Sequence, residues 1–264
     1  MPYFCILEGL HPVLRRKFYS IVSSELHNEI EFIGEIAPLY YLETVTAFTN
    51  KKQTFTFIGN ETPHCPIPLN APDYDTPAPY HGTNSTGPYP AINSTDVMDY
   101  HVNTAALKQM AKYFDYLKEN GVYDNTRIIV VADHGYDDHY STFDNFNDPT
   151  IPAGFNPLFM VKDFYVTGKL STDNTFMTNA DTLFLAKEGL GLSDTNPFTG
   201  KKFTQEKDSV TVWVSYNDEW NVTNIKRKNQ FTLKQGYIIC NSLFDPANWE
   251  SVQYEQYLKN QEEK

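Results

Sequence analysis

A run of five apolar residues is the clearest hydrophobic pattern in this chain. Residues 128–132 read IIVVA and are followed by Asp133, His134 and Gly135. A short apolar run rich in β-branched residues is typical of a buried strand in a parallel sheet. Open α/β sheets bind ligands at the carboxyl ends of their strands. The pattern therefore predicts a parallel strand over 127–132 that ends in a candidate functional site.

The two polar residues after this strand are candidate metal ligands. Side chains alternate faces along a strand, so Asp133 and His134 reach one ion only where the backbone turns. We expect Gly135 to permit that turn. A carboxylate oxygen and a neutral imidazole nitrogen suit a borderline divalent cation. An acid or a histidine at a strand end is more often a turn former or a hydrogen-bonded polar group. A purely structural role for Asp133 and His134 therefore stays open.

Other elements follow from periodicity on both sides of this strand. Apolar residues three and four apart predict an amphipathic helix over 96–119 that ends at Asn120 and Gly121. A helix that leads directly into a buried strand is the repeating unit of a doubly wound α/β sheet. The same patterns predict helices after Pro12, over 35–50 and from 179–181 to 189, and strands at 54–59, 155–162, 210–214 and 237–240.

Two segments show neither the periodicity of a helix nor that of a strand. Residues 66–95 are dense in Pro, Gly, Asn, Ser, Thr and Tyr, which predicts a long surface excursion. That excursion is either a linker or the wall of a substrate cleft. Residues 251–264 are expected to form a charged C-terminal tail.

Composition narrows the classes of protein. The chain has 264 residues, 41% of them hydrophobic and 15% aromatic, which is ample for the core of one large domain. Its net charge of -12 disfavours nucleic acid and anionic membrane surfaces as partners. Cys5, Cys65 and Cys240 are widely spaced, so neither a disulfide framework nor a zinc cluster is indicated.

Three histidines outside this strand end differ in the roles that the sequence predicts for them. His64 lies in a loop between Pro63 and Pro66, which fix the backbone and present its ring. A loop histidine taken alone is more often incidental. His139 follows the strand closely and is a candidate contact to substrate. His101, adjacent to the apolar stripe of its helix, is expected to be a packing or surface histidine rather than a ligand.

Several stretches together carry a family resemblance. Besides residues 128–135, they are Thr62–His64, Glu119–Thr126, Asn156–Leu158, Phe176–Asp181 and Asn196–Gly200. In combination they resemble the sulfatase-like branch of the alkaline phosphatase superfamily, which includes lipoteichoic acid synthases and phosphoethanolamine transferases. The similarity extends over residues 30–250, and its specificity lies in the combination rather than in any one motif.

The resemblance implies a fold, a site and a substrate class. The fold is an alkaline-phosphatase-like, doubly wound and mostly parallel sheet flanked by helices, here a partial sulfatase-like domain over 1–250. Asp133 and His134 are the implied ligands of a divalent cation, Mn²⁺ or Zn²⁺, with Mg²⁺ and Ca²⁺ as further candidates. His64 is implied as the catalytic residue that lies beside the metal and contacts the transferred phosphate. The implied substrate is phospholipid-derived or a sulfate ester.

One part of such a site is missing from the pattern. A transferase of this kind needs an oxygen nucleophile on the same cation and a further acidic ligand. In the family these groups lie on earlier strands, and no such strand precedes residue 54, so no nucleophile is identified. We therefore expect the N-terminally truncated C-terminal part of a catalytic domain, inactive alone. The complete enzyme would transfer phosphoglycerol or phosphoethanolamine to a cell-envelope acceptor.

The same resemblance implies a cellular location, and two alternative functions stay open beside it. The family acts at the extracytoplasmic face of the cell membrane, whereas this chain shows neither a signal peptide nor an apolar run of the roughly 18 residues that span a bilayer. We expect membrane contact only through a missing N-terminal anchor, and the missing N-terminal half as a partner. Two alternatives stay open: a non-catalytic binding module that keeps the fold, and a fragment of a sulfatase that hydrolyses sulfate esters.

Overall fold

The structure is a computed structural model that describes ten parts of the chain. They are residues 24–48, 53–64, 66–74, 94–136, 141–197, 200, 202–203, 208–214, 233 and 235–262. The chain divides into two compact units, residues 1–124 and 125–264, and each is treated by itself. The described residues form five α-helices and five β-strands, a mixed α/β composition that confirms the coarser fold prediction. None of these helices is long and apolar enough to cross a bilayer.

The first unit is built on two helices, α1 (Ser24–Val45) and α2 (Ser94–Glu119). The helix predicted over 96–119 is confirmed as α2. It ends where expected, because Gly121 adopts a φ of 68° and its N–H donates to the carbonyl of Lys118. The helix predicted over 35–50 corresponds to the second half of α1, which begins earlier, at Ser24, and ends at Val45, so the prediction is wrong for residues 46–48. The helix predicted after Pro12 lies outside the described residues.

The core of this unit lies between the two helices. Its buried residues are Phe32, Ile36 and Leu39 of α1, Val102, Ala105 and Ala106 of α2, and Ile67 and Leu69. The last two belong to the stretch predicted as a surface excursion, so that prediction is wrong for this part. Ile67 and Leu69 are buried because they pack in one cluster with apolar residues of both helices. Residues 75–93 of the same stretch lie outside the described residues.

His101 of α2 takes the packing role, one of the two roles predicted for it. Its side chain is fully buried, and its Nδ1 accepts a hydrogen bond of 2.9 Å from the backbone N–H of Leu69. Tyr74 meets its ring edge-on at a centroid distance of 5.3 Å. The imidazole thus satisfies a buried backbone donor and fixes the 66–74 segment on α2.

The strand predicted at 54–59 is wrong. Residues 53–61 adopt no regular secondary structure, and Phe55 and Phe57 are 80% and 83% exposed. Alternation of polar and apolar residues makes a strand only where a neighbour accepts its backbone hydrogen bonds. No described strand pairs with this segment.

The second unit contains the strand with the candidate site. This strand, β1 (Ile128–Val131), pairs with β2 (Phe159–Lys162), and Ile128 stands opposite Lys162. Both strands were predicted, but the pairing is antiparallel and β1 is only half-buried, so the parallel, buried position predicted for it is wrong. A short apolar run does not reveal the direction of its partner. The short helix α3 (Thr150–Gly154) lies between β1 and β2 along the chain.

The rest of the second unit adds helix α4 and a separate sheet. The helix predicted from 179–181 to 189 is found as the 3-10 turn Asn179–Asp181 followed by the shorter helix α4 (Thr182–Lys187). Strands β3 (Ser209–Val214), β4 (Gln235–Cys240) and β5 (Trp249–Gln253) form an antiparallel meander, in which β3 and β4 confirm the predicted strands.

The predicted charged tail differs from what the structure shows. Residues 251–253 complete β5, and helix α5 (Tyr254–Glu262) follows. The ring of Trp213 in β3 contacts Tyr254 and Tyr257 edge-on, at centroid distances of 4.9 Å and 5.3 Å. Edge-to-face aromatic pairs hold this helix on the sheet.

Candidate functional site

The chain turns sharply at the end of β1, as expected. The N–H of Ala132 still donates to the carbonyl of Leu158, at 2.9 Å, and the ladder then ends. Residues 133 and 134 form a bend, in which Asp133 Oδ1 accepts the N–H of His134 at 3.0 Å. In this turn His134 Nε2 lies 3.7 Å from Asp133 Oδ2. Two side chains that would diverge on a regular strand are thereby brought together.

The turn is held from a distant part of the chain by Asn179. The side-chain amide of Asn179 donates to the carbonyls of Ala132, at 2.9 Å, and Asp133, at 2.5 Å. Asn179 begins a 3-10 turn whose capping box joins Thr178 and Asp181. The sequence predicts a structural role for this segment and gives no sign of the contact, because an asparagine at a helix start is ordinary. Asn179 is therefore a positioning residue that the sequence pattern misses.

Gly135 fixes the other side of the turn, but for a reason other than the expected one. Its N–H donates to the carbonyl of Gly154 at 2.8 Å. A Cβ atom at this position would lie 2.0 Å from the carbonyl oxygen of Ala153. Glycine is required here by the close approach of two backbones rather than by a left-handed conformation.

The Asp133 and His134 side chains fit two positions of a divalent cation. His134 Nδ1 lies 2.6 Å from the carbonyl oxygen of Gly135, so a proton on Nδ1 donates to that oxygen and leaves the Nε2 lone pair free. Ligating histidines usually make such a bond with the other ring nitrogen. Two ligands on a tetrahedral zinc ion with bonds of about 2.1 Å lie about 3.4 Å apart. The observed 3.7 Å between Nε2 and Oδ2 is close to that separation.

The pair is open to solvent and incomplete as a metal centre. The His134 and Asp133 side chains are 69% and 89% exposed, so water has access to the remaining coordination positions. Within the described ranges, no three His, Cys, Asp or Glu side chains are grouped so as to hold an ion. A catalytic zinc site usually has three protein ligands. A cation at this turn would therefore have two candidate protein ligands among the described residues.

The other predicted site residues lie elsewhere. His64 ends the 3-10 turn Thr62–His64 of the first unit, where its side chain is exposed. The loop before it is tied to α1, because the side-chain amide of Asn60 donates to the carbonyl of Glu35. The predicted proximity of His64 to Asp133 joins residues of different units and stays a prediction. His139 lies outside the described residues.

The opposite end of β1 is anchored by Arg127. Its guanidinium group pairs with Asp163, at 2.8 Å, and donates to the carbonyls of Leu185 and Glu188 at the end of α4. Burial alone would raise the pKa of Asp163, but hydrogen bonds from the Phe164 N–H and Arg127 outweigh it and lower that pKa. One side chain thus joins β1, the residue after β2, and α4. The strand that carries the candidate site is fixed at both ends.

Comparison with known proteins adds no assignment. No family model matches the chain, and neither curated proteins nor solved structures give a match. The resemblance to the sulfatase-like branch therefore stays an expectation that rests on the motifs named above.

We expect Asn179→Ala to weaken metal binding at the turn. The substitution removes both amide hydrogen bonds that hold the carbonyls of Ala132 and Asp133. Losing a residue that orients metal ligands typically lowers affinity by about 10-fold to 100-fold. The stability loss should be only about 1 kcal/mol, because water replaces the lost donor at an exposed turn. Titration with Mn²⁺ measures the affinity, and Asn147→Ala, at an exposed asparagine, is the matched control. An unchanged Mn²⁺ affinity in Asn179→Ala would contradict the positioning role.

Proposed function

We propose that Asp133 and His134 are two ligands of a divalent cation in a sulfatase-like, metal-dependent phosphotransferase site. The observation that carries the proposal is the turn after β1. In it the His134 Nε2 atom lies 3.7 Å from Asp133 Oδ2, and Nδ1 lies within hydrogen-bond distance of the Gly135 carbonyl. Mn²⁺ and Zn²⁺ are the preferred cations, with Mg²⁺ and Ca²⁺ as further candidates, because the ligand pair combines one nitrogen and one oxygen.

The proposed roles of Asp133, His134 and Asn179 follow from this arrangement, and those of His64 and His139 from the resemblance. The cation, when bound, would neutralise charge on a phosphoryl oxygen. Asp133 and His134 hold it at the strand end, and Asn179 keeps their backbone in place. His64, whose role rests on the resemblance, donates a hydrogen bond to the transferred group and stabilises its negative charge. His139 is proposed as a second substrate contact. The substrate is a phospholipid-derived phosphodiester or a sulfate ester, handled outside the cytoplasmic membrane.

The proposal includes the doubly wound, mostly parallel sheet that the resemblance implies. A doubly wound, mostly parallel sheet would need a further strand on the edge of β1 opposite β2. That edge pairs with no described strand, so it is open to such an addition. The partial sulfatase-like domain over 1–250, which the resemblance implies, is part of the same proposal.

We expect the purified 264-residue chain to bind Mn²⁺ weakly and to show no phosphodiesterase or sulfatase turnover. Two described ligands give weak binding, and the motifs that carry the resemblance include no nucleophile. The assay is hydrolysis of bis(p-nitrophenyl) phosphate and p-nitrophenyl sulfate with added Mn²⁺ or Zn²⁺. Metal-dependent hydrolysis that disappears in Asp133→Ala would contradict this expectation and identify the chain as a complete enzyme.

The exposure of the pair favours a second candidate function. Asp133 and His134 are largely exposed, whereas catalytic metal sites are usually recessed in a shaped cavity. A binding module that keeps the fold and a polar surface would fit that exposure. Such a module binds a phosphate ester with an affinity that Mn²⁺ leaves unchanged. A Mn²⁺-dependent affinity that falls in His134→Gln would favour the phosphotransferase site instead.

A further inference from the structure

Residues 53–59 of the first unit, QTFTFIG, are exposed along their whole length. Phe55 and Phe57 are 80% and 83% exposed, and Ile58 is 48% exposed. No residue of this segment makes a hydrogen bond to any described residue. Exposed apolar side chains of this size, close together in a folded chain, are a feature of interaction sites.

The carboxyl end of the segment is fixed to the body of the first unit. The side-chain amide of Asn60 donates to the carbonyl of Glu35 in α1, and the Glu61 N–H lies 3.4 Å from Glu35 Oε2. The next residue, Thr62, is fully buried. The exposed segment therefore leaves the surface of the unit at a defined point.

The sequence of the segment has the features of an unprotected edge strand. Polar and apolar residues alternate from Thr54 to Phe57, and Thr, Phe and Ile all favour strands. Proteins usually protect an exposed strand edge with charged residues or proline, and residues 53–59 contain neither. The segment lacks only a second strand that pairs with its backbone. That lack explains why the alternation predicts a strand that the chain by itself does not form.

The order of the residues favours a second copy of the same segment as that strand. On either side of Thr56 stands a phenylalanine, and beyond each phenylalanine stands a β-branched residue, Thr54 or Ile58. In an antiparallel pair centred on Thr56, Phe55 of each copy stands opposite Phe57 of the other. These rings share one face of the pair, so two aromatic cross-strand contacts form. A two-fold axis requires a surface that is self-complementary in this way.

We propose that the chain forms a two-fold symmetric dimer in which residues 54–58 of two copies pair as antiparallel strands. The four phenylalanine side chains can bury roughly 600–1,000 Å² in total, at about 150–250 Å² each. Stable complexes bury about 1,200–2,000 Å². The dimer is therefore weak, with a Kd on the order of 10–100 µM. It uses no residue of the proposed metal site, so it holds or fails independently of the proposed function.

Sedimentation equilibrium at concentrations below and above that Kd tests the association. Phe55→Ser combined with Phe57→Ser should raise the Kd by at least about tenfold, because both aromatic contacts are lost. Leu170→Ser removes an 86% exposed apolar side chain from the second unit and is the matched control, with an unchanged Kd expected. A wild-type monomer at every concentration, assemblies larger than a dimer, or a double variant that dimerises like the wild type would overturn the proposal.

Cysteine cross-linking tests the register of the pair. Thr56→Cys would place the two Cα atoms about 4.5–5.5 Å apart at the two-fold axis, within the range of a disulfide. Thr54→Cys lies on the same face, but its two Cα atoms would be about 14 Å apart, too far for a disulfide. After mild oxidation, Thr56→Cys should give a covalent dimer well above the background from the three native cysteines of the wild type, and Thr54→Cys should not. Equal cross-linking of the two variants, or no dimer above background in Thr56→Cys, would contradict the proposed pairing.

Discussion

Gly135→Ala should destabilise the second unit by about 3 kcal/mol, at the upper end of the range for overpacking. The added Cβ would lie 2.0 Å from the carbonyl oxygen of Ala153 and 2.8 Å from that of Asn156. Both neighbours are backbone atoms, which cannot rotate away as a side chain can. At about 3 °C per kcal/mol, the melting temperature should fall by roughly 10 °C.

Gly154→Ala is the matched control for this substitution. Gly154 accepts the hydrogen bond from Gly135, yet a Cβ on Gly154 would meet nothing within 4 Å. At the end of a short helix, alanine should keep or raise stability by up to about 1 kcal/mol. Thermal melts followed by circular dichroism compare the three proteins. Equal melting temperatures for wild type and Gly135→Ala would mean that the strand end does not lie against α3.

Arg127→Met should lower the free energy of unfolding by about 2–3 kcal/mol, less than the roughly 3–5 kcal/mol typical of breaking a fully buried ion pair. The Arg127 side chain is 9% exposed, and methionine keeps its apolar stem while removing every donor. The carbonyls of Leu185 and Glu188 then lose their partner. The loss stays moderate because Asp163 is 47% exposed and is rehydrated. Urea unfolding at neutral pH measures the change.

An exposed ion pair in the same unit provides the control. Lys202 and Asp194 lie 3.1 Å apart with both side chains exposed. Exposed pairs of this kind contribute about 0–1 kcal/mol. Lys202→Met should therefore change stability by less than half as much as Arg127→Met. Equal losses in the two variants would show that Arg127 is not the anchor of β1.

The Arg127 prediction has a pH dependence with a definite sign. The pKa of Asp163 is lowered in the folded chain, because hydrogen bonds from the Phe164 N–H and Arg127 outweigh burial. A lowered pKa adds stability above the ordinary carboxyl value of about 4, and this stability is lost as pH falls through the folded-state pKa. The difference in stability between wild type and Arg127→Met should therefore shrink between pH 5 and pH 3. A difference that stays constant over this range would contradict a charged Asp163 as the partner.

Elements with local determinants could be predicted from the sequence. The helix over 96–119 was predictable because its apolar spacing and the terminating Asn120 and Gly121 all lie within the same stretch. The turn at Asp133 and His134 was predictable because a polar pair and a glycine follow an apolar run. Each of these signals needs no knowledge of the rest of the chain.

Features that depend on a distant partner were not predictable. The direction of β1 is decided by its pairing with 159–162, and the same apolar run suits either direction. The segment 54–59 has the alternation of a strand but no described partner. Asn179 contacts a turn 46 residues before it in the chain, and its type gives no sign of that contact.

Electron spin-echo spectroscopy of Mn²⁺ bound to the purified chain tests the central claim most directly. Coordination by His134 Nε2 should give a ¹⁴N imidazole modulation that disappears in His134→Gln. Asp133→Asn, which removes the charged oxygen ligand, should weaken Mn²⁺ binding by at least about tenfold. Mn²⁺ that binds equally in wild type, His134→Gln and Asp133→Asn, with no nitrogen modulation in any of them, would contradict a metal site at the end of β1.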